Sequence, residues 1–146
     1  MRVIIGYGNE LRGEDSFGIE VIKELKKLPL DNTRLISAFQ LTPEMVLELL
    51  EAYEIIFIDA SFNEDNQYAL ACSTTQQNSL SLTHHISPKS IIYMLNNLYN
   101  RSPEFFIYSM MTNSFNKIKD KEEYENSIKL LSTHLVLIDN QEKKCN

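Results

Sequence analysis

Three positions in this sequence have the residue types and the placing to hold a metal ion. Asp15 follows the first apolar segment, Asp59 ends the run Ile55–Ile58, and His84 and His85 lie in a polar stretch before a segment of helical spacing. Two carboxylates and one imidazole can bind zinc, nickel, manganese or iron, and ligand softness does not choose among these metals. Each residue also has a structural alternative, because an aspartate can cap a turn and a loop histidine is more often structural than a ligand.

The first of these acids lies in the stretch GYGNELRGEDSFG, residues 6–18, which contains all four glycines of the chain. The third glycine of a dinucleotide fingerprint is replaced by Leu11. Gly8 and Gly13 have the spacing of a phosphate-binding loop, but Glu14 and Asp15 stand where that loop has Lys and Ser or Thr. Two carboxylates repel a phosphate, so this loop favours a cation over a nucleotide. We expect close backbone approach or a positive φ at Gly8.

Composition excludes several classes of function. The chain of 146 residues has a net charge of −6 and no basic stripe, so we expect no nucleic-acid partner. It has no apolar run long enough for membrane insertion and no segment typical of a signal peptide, so we expect a cytoplasmic protein. Cys72 and Cys145 form no C-x-x-C pair, and we interpret them as a buried apolar residue and a free thiol.

Strands and helices alternate along the chain. Apolar runs predict strands at 3–5, 35–39, 54–60, 68–73 and 105–110, and helical spacing predicts helices that begin near residues 17, 43 and 88. In the last segment HLVLI alone would fit a strand, but the helical spacing of residues 124–138 favours a long C-terminal helix. Thr42-Pro43 and Ser87-Pro88 are typical of helix starts, and Asn100 can end the third helix in a left-handed conformation. The pattern predicts a single domain over residues 1–146. Its fold class is α/β, a three-layer α/β/α sandwich around a mostly parallel, possibly mixed sheet of about five strands.

Four motifs follow one another along the chain: GYGNELRGEDSFG, FQLTPE at 39–44, IIFIDA at 55–60 and LTHHISP at 82–88. In these motifs and in their order the sequence resembles the hydrogenase maturation proteases. The resemblance implies an endopeptidase that removes the C-terminal extension of a nickel–iron hydrogenase large-subunit precursor after nickel insertion. Carried over by motif, the catalytic and metal-recognising residues are Asp15, Asp59 and His84. His84 is preferred to His85 because Thr83-His84 fits the family frame.

The resemblance also implies where the metal comes from. Nickel would be supplied by the substrate, and no organic cofactor is expected. The alternative function is a non-catalytic metal-checking or metal-binding chaperone module on the same fold, which the same acids and histidine would suit. A nucleotide-binding or hydrolase-like protein is disfavoured by Glu14 and Asp15, and no G-x-S-x-G or H-E-x-x-H motif is present.

Overall fold

A computed structural model describes residues 1–74 and 86–138. Within these residues five strands form one mixed sheet in the order β2-β1-β3-β5-β4. The strands β1, β2, β3 and β5 run parallel, and β4 pairs antiparallel with β5. The elements in chain order are β1 (Arg2–Tyr7), α1 (Phe17–Leu25), β2 (Thr33–Ala38), β3 (Glu54–Phe62), β4 (Leu70–Ser73), α2 (Pro88–Tyr99), β5 (Glu104–Thr112) and α3 (Lys121–Ile138).

Helical layers cover both faces of the sheet. One face packs against α1 and α3, with Phe17, Ile56 and Leu135 among its fully buried side chains. The other packs against α2 and the segment Pro43–Leu49. The central strands are therefore apolar on both faces, as expected of a parallel sheet covered on each side. The predicted three-layer α/β/α sandwich with its mostly parallel sheet is confirmed, and so is the long C-terminal helix α3.

Local signals placed both ends of α2 correctly. The Ser87 side chain accepts a hydrogen bond from the Ser90 N–H (3.2 Å) and so caps α2, and Asn100 ends that helix at φ 54°. The segment after Thr42 is a correction, because Pro43–Leu49 forms a 3₁₀ helix rather than an α-helix. Only two of its residues, Val46 and Leu49, are buried. Such limited burial gives the segment little packing energy to favour a longer regular helix.

Cys72 is a second correction. It lies half-buried on β4 and is disulfide-bonded, so it is not simply the buried apolar residue that we expected. Cys145, which we interpreted as a free thiol, lies outside the described residues. The cytoplasmic location stays a prediction. Within the described ranges, no helix is long and apolar enough to cross a membrane.

The glycines bring the loop between β1 and α1 into backbone contact with the sheet. A Cβ on Gly6 would overlap the carbonyl group of Gly18, and a Cβ on Gly18 would overlap the carbonyl oxygen of Ile58 on β3. Gly8 has φ +151°, and its Cβ would overlap the carbonyl oxygen of Asp15. The expectation of close backbone approach at Gly8 is therefore confirmed. Asp15 sits directly on the end of β1 because Gly8 has no side chain.

We predict that Gly8→Ala destabilises the protein by at least about 1–2 kcal/mol, because it adds a backbone clash to an unfavourable φ. Urea unfolding of both proteins measures the difference in free energy. Leu11→Ala is the control, since Leu11 lies on the same loop and is 94% exposed. Equal stability of Gly8→Ala and the wild type would contradict the contact between Gly8 and Asp15.

Candidate functional site

Asp59 lies where β3 leaves the apolar interior of the sheet. Its Oδ2 accepts a hydrogen bond from the Tyr7 hydroxyl (2.8 Å), and its Oδ1 accepts one from the Ser109 hydroxyl (2.5 Å). Tyr7 ends β1, and Ser109 is the register partner of Asp59 on β5. Each carboxylate oxygen is thus held by a neighbouring strand, which fixes the side chain at the carboxyl edge of the sheet. Ligand sites in open α/β sheets lie at this edge.

Sequence reasoning missed Tyr7 and Ser109 as parts of this site. A signal for Ser109 was present, because it is a polar residue in an apolar strand and aligns with Asp59 once the parallel register is known. Burial and then the charge of Asp59 raise the pKa of Tyr7 well above its ordinary value. Tyr7 therefore keeps its proton and acts as a hydrogen-bond donor to Asp59.

Asp15 reaches the same edge from the glycine loop. It lies in the 3₁₀ turn Gly13–Ser16, and its Oδ2 accepts a hydrogen bond from the Asn9 N–H (3.1 Å). The Asn9 side chain in turn accepts from the Leu11 N–H (2.9 Å), which tightens the loop. Asp15 and Asp59 are both partly exposed.

The two carboxylates are close enough to interact electrostatically. Burial is the main cause that raises the pKa of Asp59 above its ordinary value, and the negative charge of Asp15 raises it further. The hydrogen bonds from Ser109 and Tyr7 favour the charged form and oppose this rise without cancelling it. Two carboxylates that repel each other at the exposed edge of the sheet favour the binding of a cation there.

The neighbouring acid Glu14 has a different environment. Its side chain is completely buried and accepts hydrogen bonds from the hydroxyls of Thr112, Tyr68 and Ser114 and from the Lys119 N–H. Burial raises the pKa of Glu14, but these hydrogen bonds outweigh it and hold the pKa below its ordinary value. Of the two adjacent acids, Asp15 alone has an exposed surface.

The predicted third ligand, His84, and its neighbour His85 lie outside the described residues. In residues 1–74 and 86–138, no group of three His, Cys, Asp or Glu side chains is arranged to hold a metal ion. The third histidine, His134, lies on α3, where its ring contacts Tyr108. The structure therefore brings together Asp15 and Asp59 and leaves the assignment of His84 a prediction.

A groove lies between the glycine loop and the end of β2. Its volume is about 340 Å³, and it is lined by backbone and side chains of the glycine loop and of the end of β2, including Asn9, Leu11, Ser37 and Phe39. Phe39 is 63% exposed, and Leu11 is almost fully exposed. Asn9 belongs both to this groove and to the hydrogen bond with Asp15. The groove therefore shares Asn9 with the loop that holds Asp15.

Comparisons with solved structures relate the whole fold to known proteins. The NiFe hydrogenase maturation protease HycI from Thermococcus kodakarensis KOD1 superimposes with a TM-score of 0.78 at 16% identity, over 96% of this chain and 92% of that one. The hydrogenase maturating endopeptidase HybD from E. coli gives 0.74 at 14% identity, over 96% and 92%. The chain has the fold of hydrogenase maturation proteases.

A third structure extends this comparison to another source. The hydrogenase 2 maturation peptidase from Thaumarchaeota archaeon SCGC_AB-539-E09 gives a TM-score of 0.67 at 19% identity, over 97% of this chain and 99% of that one. No protein-family model matches the sequence, and no curated protein matches it. The resemblance seen in four short motifs is thus confirmed at the level of the fold, over nearly the full length of both chains.

We predict opposite changes in the pKa of Asp59 from two substitutions in the metal-free protein. Ser109→Ala removes a hydrogen bond to the carboxylate and raises the pKa, whereas Asp15→Asn removes a nearby negative charge and lowers it. Carboxyl ¹³C chemical shifts followed through a pH titration measure both changes. Shifts of the same sign, or none with Asp15→Asn, would contradict the proximity of the two acids.

Proposed function

We propose that this protein is an endopeptidase that removes the C-terminal extension of a nickel–iron hydrogenase large-subunit precursor after nickel insertion. One observation carries the proposal: Asp15 and Asp59 interact at the carboxyl edge of a sheet whose fold is that of hydrogenase maturation proteases. The function of those proteins comes to this chain as an inference, because identities of 14–19% establish only the fold.

The acid pair supplies what hydrolysis of a peptide bond beside a metal requires. A metal ion on the substrate provides Lewis acidity close to the bond that is cleaved. Asp15 and Asp59 would hold that ion or orient the attacking water, with His84 as a third ligand. A carboxylate of this pair that does not hold the metal would accept the proton of the attacking water.

The groove supports a polypeptide substrate. It lies along the end of β2, the edge strand of the sheet, and its exposed apolar side chains, Leu11 and Phe39, offer contacts for substrate side chains. A chain lying there would pass Asn9 and reach Asp15 next. An extended substrate could thus be held on one side while the bond to be cleaved lies over the carboxylates.

The donor set favours a metal that arrives with the substrate. Structural and catalytic zinc sites usually have at least three firm protein ligands, often His and Cys. We expect two carboxylates and the imidazole of His84, with no thiolate, to have a modest affinity for free metal. We therefore expect the isolated protein to contain little stoichiometric metal, and the nickel to keep its own ligands in the precursor while the carboxylates approach it.

A metal-checking chaperone module is the second candidate. An acidic pair at an open edge would contact a metal in a partner equally well without cleaving anything. The groove beside the glycine loop favours the protease, because its exposed Leu11 and Phe39 offer contacts to a polypeptide that recognition of the metal alone does not need. Loss of mass from the precursor distinguishes the two functions.

We predict that metal-free enzyme trims the nickel-loaded precursor and leaves the nickel-free precursor intact. Mass spectrometry of the large subunit after mixing follows both reactions, and metal analysis of the isolated enzyme is the control. Equal trimming of both precursors, or tightly bound stoichiometric metal in the enzyme, would contradict a substrate-borne metal. No trimming of either, with binding of the nickel-loaded form, would favour the chaperone module.

A further inference from the structure

Glu14 precedes Asp15 in the same short turn, yet the two side chains go to opposite sides of the backbone. Asp15 bonds to Asn9 at the partly exposed edge of the sheet. Glu14 points inward and is completely buried. Glu14 and Asp15 share the backbone of this turn, so the position of Glu14 constrains the position of Asp15. Glu14 itself has no exposed surface that could contact a substrate.

The Glu14 carboxylate is held by five donors from two separate parts of the chain, which we call the Glu14 cage. Oε1 accepts from the Gln67 side chain (2.9 Å), the Ser114 hydroxyl (2.8 Å) and the Thr112 hydroxyl, and Oε2 accepts from the Tyr68 hydroxyl and the Lys119 N–H (3.0 Å). These donors come from the turn before β4 and from the end of β5 and the segment that follows it.

Every donor in the cage is a neutral dipole. A buried carboxylate is costly unless its oxygens are fully hydrogen-bonded, so the five donors account for the charge being tolerated there. Among the described residues, no buried side-chain nitrogen or oxygen lacks a partner. The cage is also internally linked, because Tyr68 accepts from the Asp120 N–H (2.8 Å) and Thr112 accepts from the Ser114 N–H (2.9 Å).

A strained backbone supports the same cage. Tyr68 has φ 66°, a left-handed conformation that an aromatic residue adopts only when its surroundings impose it. Its hydroxyl group bonds Glu14, and its N–H bonds the carbonyl of Met111 (2.7 Å). The contact with Glu14 is thus among the interactions that hold Tyr68 in this conformation.

The segment after β5 also encloses the backbone of the glycine loop. The N–H of Asp15 reaches the carbonyl of Phe115 (3.3 Å), Arg12 bonds the Asn116 side chain (2.9 Å), and a Cβ on Gly13 would overlap the backbone of Lys117. The C-terminal third of the chain therefore forms the support on which the acidic turn lies.

We propose that Glu14 is a positioning residue, which fixes Asp15 opposite Asp59 by anchoring the acidic turn to the segments 67–68 and 112–119. Its effect on catalysis rests on the proposed function, but its effect on the position of Asp15 does not. The buried carboxylate acts through the backbone and through Asp15, and it contacts neither the substrate nor its metal.

The test compares two isosteric changes of buried glutamates at opposite ends of the sheet. Glu14→Gln places an amide NH₂ among five donors, so at least one of them loses its acceptor. Glu54→Gln is the control, because Glu54 is also buried and pairs with Arg2 (2.7 Å) at the amino ends of β1 and β3. Both variants lose a buried carboxylate, and only the first loses it beneath Asp15.

The first measurement needs no substrate. We expect hydrogen exchange at the Asn9 and Asp15 amides to quicken at least tenfold in Glu14→Gln relative to Glu54→Gln, after both rates are corrected for global stability. Equal exchange in the two variants would overturn the proposal. If Glu14→Gln does not fold, Thr112→Val takes its place and Thr112→Ser, which keeps the hydroxyl group, should restore wild-type exchange.

The second measurement uses the nickel-loaded precursor. We expect kcat to fall at least tenfold in Glu14→Gln while KM changes less than threefold, and Glu54→Gln to retain kcat at a temperature where both are folded. Equal losses in both variants would overturn a positioning role. A wild-type protein that cleaves no precursor contradicts the proposed function, and the exchange measurement still decides the role of Glu14.

Discussion

The acidic loop of this protein lies in direct backbone contact with the ends of β1 and β3, and the site depends on that contact. Gly6 and Gly18 touch where any side chain would separate them, and Gly18 also lies against the carbonyl of Ile58, one residue before Asp59. Gly8 lies against the backbone of Asp15. Asp15 on the loop and Asp59 on β3 therefore lie close together because the glycines let the backbone of the loop contact the ends of the strands. Three of the four glycines are explained by this contact, and the fourth, Gly13, lies against the backbone of Lys117.

The residues around the two acids hold them in different ways. Asp59 is held through its side chain, by Tyr7 and Ser109 on the adjoining strands. Asp15 accepts one hydrogen bond at its side chain, from the Asn9 N–H, and is otherwise held through the backbone of the turn that it shares with the buried Glu14. The hydrogen bonds of the sheet fix the backbone of Asp59 on β3, whereas Asp15 lies in a short turn that needs additional contacts. The anchoring comes from the segments 67–68 and 112–119.

The fold was largely predictable because its signals are local. Apolar strands alternate with helical stripes, Ser87 and Pro88 mark a helix start, and Asn100 marks a helix end. Asp15 and Asp59 were predictable as neighbours because the carboxyl ends of parallel strands share one edge. The Glu14 cage was not predictable, because Gln67, Thr112 and Lys119 are more than 50 residues away in sequence and have no motif. The disulfide at Cys72 and the 3₁₀ segment at Pro43–Leu49 depend likewise on tertiary contacts.

The most direct test of the role of the acid pair is the mass of a nickel-loaded precursor after incubation with isosteric variants. Asp15→Asn and Asp59→Asn should each fold and leave the precursor at full mass, because a neutral amide neither binds the metal as a carboxylate does nor accepts a proton from water. Asp65→Asn, at an exposed position, should trim it as the wild type does. Normal trimming by either of the first two variants would contradict the catalytic role of the pair.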